Sequence, residues 1–245
     1  MPKPVSVMGL PIAPVTMRET LDLVSHFVNQ NDPTFFITAN LHYAMLTEKD
    51  PELREVNEKA AFLVADGMPL VWASRKKNQP LPERVTGADL IFRLAEEAAL
   101  KGWRVFFLGG KPGVAELAVK NLSARYPGLT VAGIEVPPFR VQTQDEEEAM
   151  FERIHATKPD LLIGAFSMPN GEKWLAKNYQ KLGVPVSVQL GAALDFAAGN
   201  VSRAPKWIQR SGMEWAYRFA IEPKRLGGRY FKNARYLARQ LLNSK

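Results

Sequence analysis

Arg104-Val105-Phe106-Phe107-Leu108-Gly109-Gly110-Lys111-Pro112-Gly113 is the stretch that decides the fold. A short run rich in Val, Phe and Leu, closed by a glycine-bearing loop, reads as a strand buried on both faces. Val114 to Tyr126 follows with helical spacing and stops at Pro127-Gly128. The same unit recurs downstream. Thr130–Ile134 is a strand, Asp145–Lys158 a helix, Asp160–Ala165 a strand, Gly171–Lys181 a helix, and Pro185–Leu190 a strand ending at Gly191. Upstream, Phe35–Asn40 is a strand running into a polar loop. Leu41–Lys59 is helical with an interruption near Pro51, and Ala61–Ala65 is a strand closed by Asp66-Gly67. Asp89–Lys101 is a helix with Leu90, Ile91, Leu94 and Ala98 on one side. Apolar strands alternating with helices imply an α/β fold, a mostly parallel sheet covered on both faces.

The 245 residues, 46% of them hydrophobic, suffice for one large domain or two joined lobes. There is no Cys, which excludes disulfides and thiolate metal sites. His26, His42 and His155 lie far apart and show no metal-binding spacing. The N-terminus lacks the apolar run of a signal peptide, and no stretch approaches the roughly 18 apolar residues of a spanning helix. A cytoplasmic protein, peripheral on the inner face of the cell membrane, is the expectation.

Charge divides the chain. From Asn200 onward eleven Lys/Arg face two Glu, a net +9, and the first 199 residues carry −2. Residues 1–199 are expected to form the α/β body of two closely joined lobes, and 200–245 a basic helical appendage. On a helix from Leu226 to Leu242, Leu226, Tyr230, Ala234, Leu237 and Leu241 fall on one stripe. Arg225, Arg229, Lys232 and Arg239 gather nearly opposite, and Trp207, Trp215 and Phe219 lie upstream. A basic amphipathic helix with Trp suits an anionic membrane surface better than a nucleic acid. It can equally be a terminal helix docked on the core with a solvated basic face.

In parallel sheets ligands bind beyond the carboxyl ends of the strands. Asp66 closes one strand, where a carboxylate can act as a general base or merely shape an Asp-Gly turn. Thr38 and Asn40 end another and can bind sugar hydroxyls or cap the next helix. Gly109 and Gly110 permit close approach of a diphosphate to a helix N-terminus, or a tight strand-to-helix turn. The loop is neither a dinucleotide fingerprint nor a P-loop. Arg84 is a loop cation suited to a phosphate or to solvent. Asp195 can hydrogen-bond a ribose or cap structure.

Taken together these pieces become specific. Thr38-Ala39-Asn40, Ala65-Asp66-Gly67-Met68-Pro69, Pro82–Leu90, Phe107-Leu108-Gly109-Gly110, Leu190–Gly199, Arg203–Trp207, Glu214–Arg218 and Glu222–Leu226 follow one another in the order seen in WecG/TagA/CpsF glycosyltransferases. The chain resembles that family over nearly its whole length. The resemblance implies a Rossmann-like α/β fold with a C-terminal helical appendage that closes over the site and contacts the membrane. It implies an inverting, cofactor-free and metal-independent transfer from a UDP-sugar to an undecaprenyl-diphosphate-linked saccharide, in cell-surface polysaccharide or teichoic acid synthesis. By the same resemblance Asp66 is the catalytic base, Thr38 and Asn40 pocket residues, and Arg84 an active-site cation. Gly109 and Gly110 become the diphosphate loop, Asp195 a nucleoside contact, and Arg218 and Arg225 appendage arginines that stabilise a diphosphate. One segment departs. Where the family usually carries Pro-Lys-Gln-Glu before a Trp, this chain has Pro169-Asn170-Gly171-Glu172-Lys173-Trp174. Gly171 stands where a Gln is expected to line the pocket, so the donor sugar does not follow from the resemblance. Two rivals stand beside the enzyme: a non-catalytic membrane scaffold and a nucleotide-binding oxidoreductase. Homo-oligomerisation stays open.

Overall fold

The computed structural model describes residues 1–76, 80–138, 140, 142–221 and 223–242, without the side chains of 210, 218, 224–226 and 241. Eight strands form one sheet: β1 (Val5–Val7), β2 (Leu10–Ile12), β3 (Thr34–Ala39), β4 (Phe62–Ala65), β5 (Arg104–Gly109), β6 (Thr130–Glu135), β7 (Leu161–Ala165) and β8 (Val186–Gln189). Their order across the sheet is β1-β2-β4-β3-β8-β7-β5-β6, and only the β1–β2 pair is antiparallel. The expected parallel α/β sheet is therefore present. The β1–β2 hairpin was not legible. Its strands are three residues each, and its two-residue turn places Met8 and Gly9 at φ +50° and +80°, the left-handed pair that matches strand twist.

Alternation along each strand divides the core. Phe36, Val64, Val105, Phe107, Ile163 and Val188 point to one face. There they pack under α1 (Met17–Gln30), α5 (Gly87–Lys101), α6 (Val114–Arg125) and α9 (Ala193–Ala197). Phe35, Ile37, Leu63, Phe106, Leu108 and Leu162 point to the other. They are covered by α2 (Leu41–Lys49), α3 (Pro51–Lys59), α4 (Met68–Lys76), α7 (Gln144–Thr157) and α8 (Asn170–Leu182). These side chains are almost wholly buried, and each contributes roughly 1.5–3 kcal/mol of burial.

Local chemistry sets the helix boundaries. Thr16 with Glu19, and Thr143 with Glu146, form capping boxes at α1 and α7. The helix expected over Leu41–Lys59 is two helices. Asp50 is extended and caps the second through the Glu52 N–H, with Pro51 at the first helical position.

The appendage is helical, as expected: α10 (Lys206–Arg210), α11 (Glu214–Ile221) and α12 (Pro223–Leu242). Of the apolar stripe, Leu237 packs on the core. Ala234 is exposed, whereas Asn233 and Tyr236 are buried. The buried line is mixed polar and aromatic because it meets α2 through hydrogen bonds and ion pairs. His42 Nδ1 lies 3.0 Å from Asn233 Oδ1, and Arg239 Nη2 lies 2.5 Å from Glu48 Oε2. Burial, and then Arg229 and Lys232, push the His42 imidazole below its ordinary range.

Candidate active site

The chain reverses direction across the sheet between β3 and β8. β3 leads into α2 on one face and β8 into α9 on the other, so the two connections part at the carboxyl edge. Such a switch point is where ligands bind in open α/β sheets. The candidate residues are distributed along this edge. Thr38 is buried on β3, and its hydroxyl donates to the Gln189 carbonyl on β8 at 3.2 Å. Gly87, opening α5, faces the same place: a Cβ there would sit 3.7 Å from Thr38 Oγ1 and 3.5 Å from the Leu190 carbonyl. Asn40 caps α2, with Oδ1 accepting from the His42 and Tyr43 N–H groups at 3.0 and 3.1 Å. The cap engages Oδ1 and not Nδ2.

Asp66 follows β4, half-buried, next to β3 in the sheet. Its N–H donates to the Ala39 carbonyl at 2.7 Å, which fixes its backbone at the strand tip beside Asn40. Gly67 at φ +134° then turns the chain into α4. The appendage rests directly beyond it. Gly212, between α10 and α11, abuts Met68 and Trp72 of α4 so closely that a Cβ would fall 2.7 Å from Met68 Cγ and 3.0 Å from Trp72 Cζ2. Together with the α12–α2 contacts, this puts the terminal helices on the same edge as Asp66.

Arg84 lies in this closure. Its Nη1 is 3.2 Å from Glu214 Oε2, and Arg203 Nε is 2.7 Å from Glu214 Oε1. Arg203 also contacts Asp89 at 2.9 Å and Gln209 at 3.1 Å. Burial of Asp89 opposes ionisation, but the Thr86 hydroxyl at 2.5 Å and the Arg203 guanidinium overcome it and hold the carboxyl below its usual range. The two arginines and two carboxylates clamp the appendage onto the start of α5. Arg84 is thus paired with protein rather than standing open to solvent. Sequence reasoning did not single out Arg203 or Glu214 as a pair, because 11 positions separate them and each reads alone as a surface charge.

Gly109 and Gly110 have φ of +93° and +88°. A Cβ at 109 would meet the Phe166 ring at 3.0 Å, and the Gly110 N–H donates to the Ala165 carbonyl at 3.2 Å. These glycines serve first as a tight turn from β5 toward α6, tied by that hydrogen bond to the end of β7, and the 12-residue helix α6 begins after Gly113. Asp195 is half-buried in the first turn of α9. The side chains of Arg218 and Arg225 lie outside the described residues.

Two groups at this edge were not singled out from the sequence as site residues. Gln189 ends β8, 3% exposed, with its side-chain oxygen accepting the Phe166 N–H at 3.1 Å. Its signal was a polar residue at the end of a fully buried apolar strand. Glu172, in the first turn of α8, is 6% exposed and its Oε2 has no hydrogen-bond partner among the described residues. Burial pushes its carboxyl up to about 7, against the opposing pull of its own backbone N–H and of Arg229. The Arg229 charge on α12 thus bears on both Glu172 and His42, lowering the value of each. Because the folded value of Glu172 lies above its ordinary 4.5, the folded chain holds a proton that the unfolded chain releases between these pH values. Stability falls as pH rises through that window, by about 3 kcal/mol in all. Glu172→Gln is expected to remove most of this decline, read as urea midpoints from pH 4.5 to 7.5. A parallel decline in the variant would contradict it.

Comparison with known proteins places the chain in a family. The model of the Glycosyl transferase WecG/TagA/CpsF family matches residues 5–245. An N-acetylglucosaminyldiphosphoundecaprenol N-acetyl-beta-D-mannosaminyltransferase of Bacillus spizizenii is 31% identical, over 84% of this chain and 80% of its own. Enzymes of the same name from Bacillus subtilis and Staphylococcus aureus are 30% and 29% identical, over 90% and 91% of this chain and 84% and 87% of theirs. With the family model spanning all but the first four residues, the chain belongs to the Glycosyl transferase WecG/TagA/CpsF family.

Proposed function

We propose that the chain is an inverting glycosyltransferase that moves an N-acetylmannosamine-type sugar from UDP to a saccharide linked to undecaprenyl diphosphate, at the membrane surface. The observation that carries this reading is the common edge. Asp66, Thr38 and Asn40 lie at the β3–β4 tips beside the switch point, and the basic appendage closes over the same side. The relatives' names specify both the sugar moved and the lipid-linked N-acetylglucosamine that receives it.

Asp66 takes the proton from the acceptor hydroxyl as that oxygen attacks the anomeric carbon. One C–O bond forms, the bond from the anomeric carbon to the diphosphate oxygen breaks, and UDP leaves with the electron pair. The anomeric configuration inverts. The negative charge growing on the diphosphate is met by cations and backbone N–H groups at the edge. Arg229 is one such cation, and Arg84, Arg218 and Arg225 are the other candidates. Arg84 serves in this way once Glu214 shares it with the substrate, or acts through the clamp that seats the appendage. The diphosphate is read by Gly109, Gly110 and the start of α6, and the nucleoside by Asp195.

The appendage supports a membrane-surface role. Trp207 is 72% exposed, Phe231 65% and Ile221 56%, with Trp215, Phe219 and Met213 also exposed, all on the segment that carries the +9 charge. Exposed aromatics among Lys and Arg fit an anionic interface, each cation adding about 1 kcal/mol. No described helix is long and apolar enough to cross a bilayer. The test is incubation of the full chain with UDP-N-acetylmannosamine and a synthetic polyprenyl-diphosphate N-acetylglucosamine. UDP release with a product heavier by one N-acetylhexosamine residue is expected. No product with this donor or any other in a UDP-sugar panel contradicts the reading.

A further inference from the structure

The Gln189 side chain is held in an unusual setting. It ends β8 between β3, where it pairs with Ile37, and β7, where it pairs with Gly164. Its carboxamide lies between two glycines. A Cβ on Gly164 would fall 2.6 Å from Nε2, and one on Gly171 would fall 3.0 Å from Cδ and 3.1 Å from Nε2. Any side chain at either position would collide with the amide, so the two glycines are what make room for it. The orientation of the amide is determined: the Phe166 N–H can only donate, so it must face the oxygen, and the NH2 group points away. That Nε2 is buried and has no hydrogen-bond partner among the described residues. Buried donors are almost always paired, and an unpaired one calls for a missing acceptor.

We propose that Nε2 of Gln189 is a specificity-determining donor that binds an uncharged oxygen, a hydroxyl or an acetamido carbonyl, of the sugar carried by UDP. This rests on the glycosyltransferase reading above and deepens it. The sheet supplies the ruler. Asp66 follows β4, and β3 and then β8 come next across the sheet. At about 4.8 Å per strand, Gln189 lies two strands, or about 10 Å, from the base. The acceptor oxygen sits about 3 Å from the base and the anomeric carbon about 3 Å further on. In an in-line displacement the departing diphosphate oxygen lies beyond the anomeric carbon on that same line and the hexose ring projects to its side, so ring substituents and diphosphate lie next to one another near the β8 tip. A neutral amide donor there suits an uncharged ring substituent, whereas the phosphates call for cations and clustered backbone N–H groups. The first turn of α8 covers the amide with Gly171, the smallest obstruction a residue can present. The amide enters from β8 into the space that a side chain at 171 would otherwise take.

The experiment compares UDP with UDP-N-acetylmannosamine by calorimetry in the wild type, Gln189→Leu and Gly171→Ala, with melting temperature as the check on folding. Gln189→Leu keeps the volume and removes the donor; Gly171→Ala displaces the amide from in front. Either variant is expected to weaken UDP-sugar binding about 10- to 100-fold, the factor for leaving one buried hydrogen bond unmade. Binding of UDP alone stays within about twofold of wild type. Equal losses for both ligands, or no loss for either in a folded variant, overturn the proposal and leave an internal water as the partner of Nε2. Should Gln189→Leu fail to fold, Gly171→Ala decides by the same ratio. A wild type that binds neither ligand contradicts the glycosyltransferase reading itself, whereas variants that match an active wild type contradict only the role of Gln189.

Discussion

Asp66→Asn is expected to lower turnover about a thousandfold while leaving nucleotide affinity and melting temperature close to wild type. General-base assistance is worth roughly 10²- to 10⁴-fold, and the amide is isosteric but cannot accept the acceptor's proton. The backbone contact that seats the residue, Asp66 N–H to the Ala39 carbonyl, survives the substitution. UDP release with the lipid-linked acceptor is the readout. The defect should lie in kcat rather than KM, because the proton moves only in the transition state. Turnover within tenfold of wild type would remove Asp66 as the base.

Truncation after Gly199 is expected to abolish transfer and to release the protein from anionic liposomes. The deletion removes Arg229, whose charge reaches both His42 and Glu172. It also removes Glu214 and Arg203, leaving Arg84 and Asp89 without those ion pairs. Both charges return to water once the appendage is gone, so the expected cost is the lost clamp at the start of α5 rather than a stranded buried charge. The Gly212 contact with Met68 and Trp72 goes too, which uncovers the surface just beyond Asp66. Phe196, which stacks under Arg203 at 5.5 Å, would be uncovered as well. Flotation with phosphatidylglycerol vesicles and the UDP-release assay give the two readouts. Undiminished flotation would refute the membrane role, and undiminished turnover would refute the closing role.

Much of the body was readable because its strands are apolar on both faces and its helices carry their own punctuation. Pro127-Gly128, Thr143 with Glu146, and Gly102 and Gly183 in left-handed caps each mark a boundary that periodicity alone would blur. The β1–β2 hairpin escaped because three residues show no period. α1, with Thr20, Leu21, Val24 and Val28 buried, was legible in principle but lay outside the repeating pattern. The face of α12 that packs on the body could not be read from its apolar stripe, because Tyr236 and Leu237 reach the core while polar side chains make the remaining contacts. Those polar contacts are made to His42 and Glu48 of α2. At the site, Asp66, Thr38 and Asn40 could be placed at strand ends from sequence alone. Gln189, Glu172 and Arg203 could not, since what distinguishes them is burial and a partner 23 to 114 positions away. Only the sheet brings those together.

The central claim is that a carboxylate at the β4 tip directs a single inverting displacement on a UDP-sugar. It is tested most directly by the anomeric configuration of the first product, read by NMR on the disaccharide released from its lipid. From an α-linked UDP-sugar the expected product carries a β linkage, with one UDP released per bond formed. An α linkage would require two successive displacements or front-face attack, and would contradict the account.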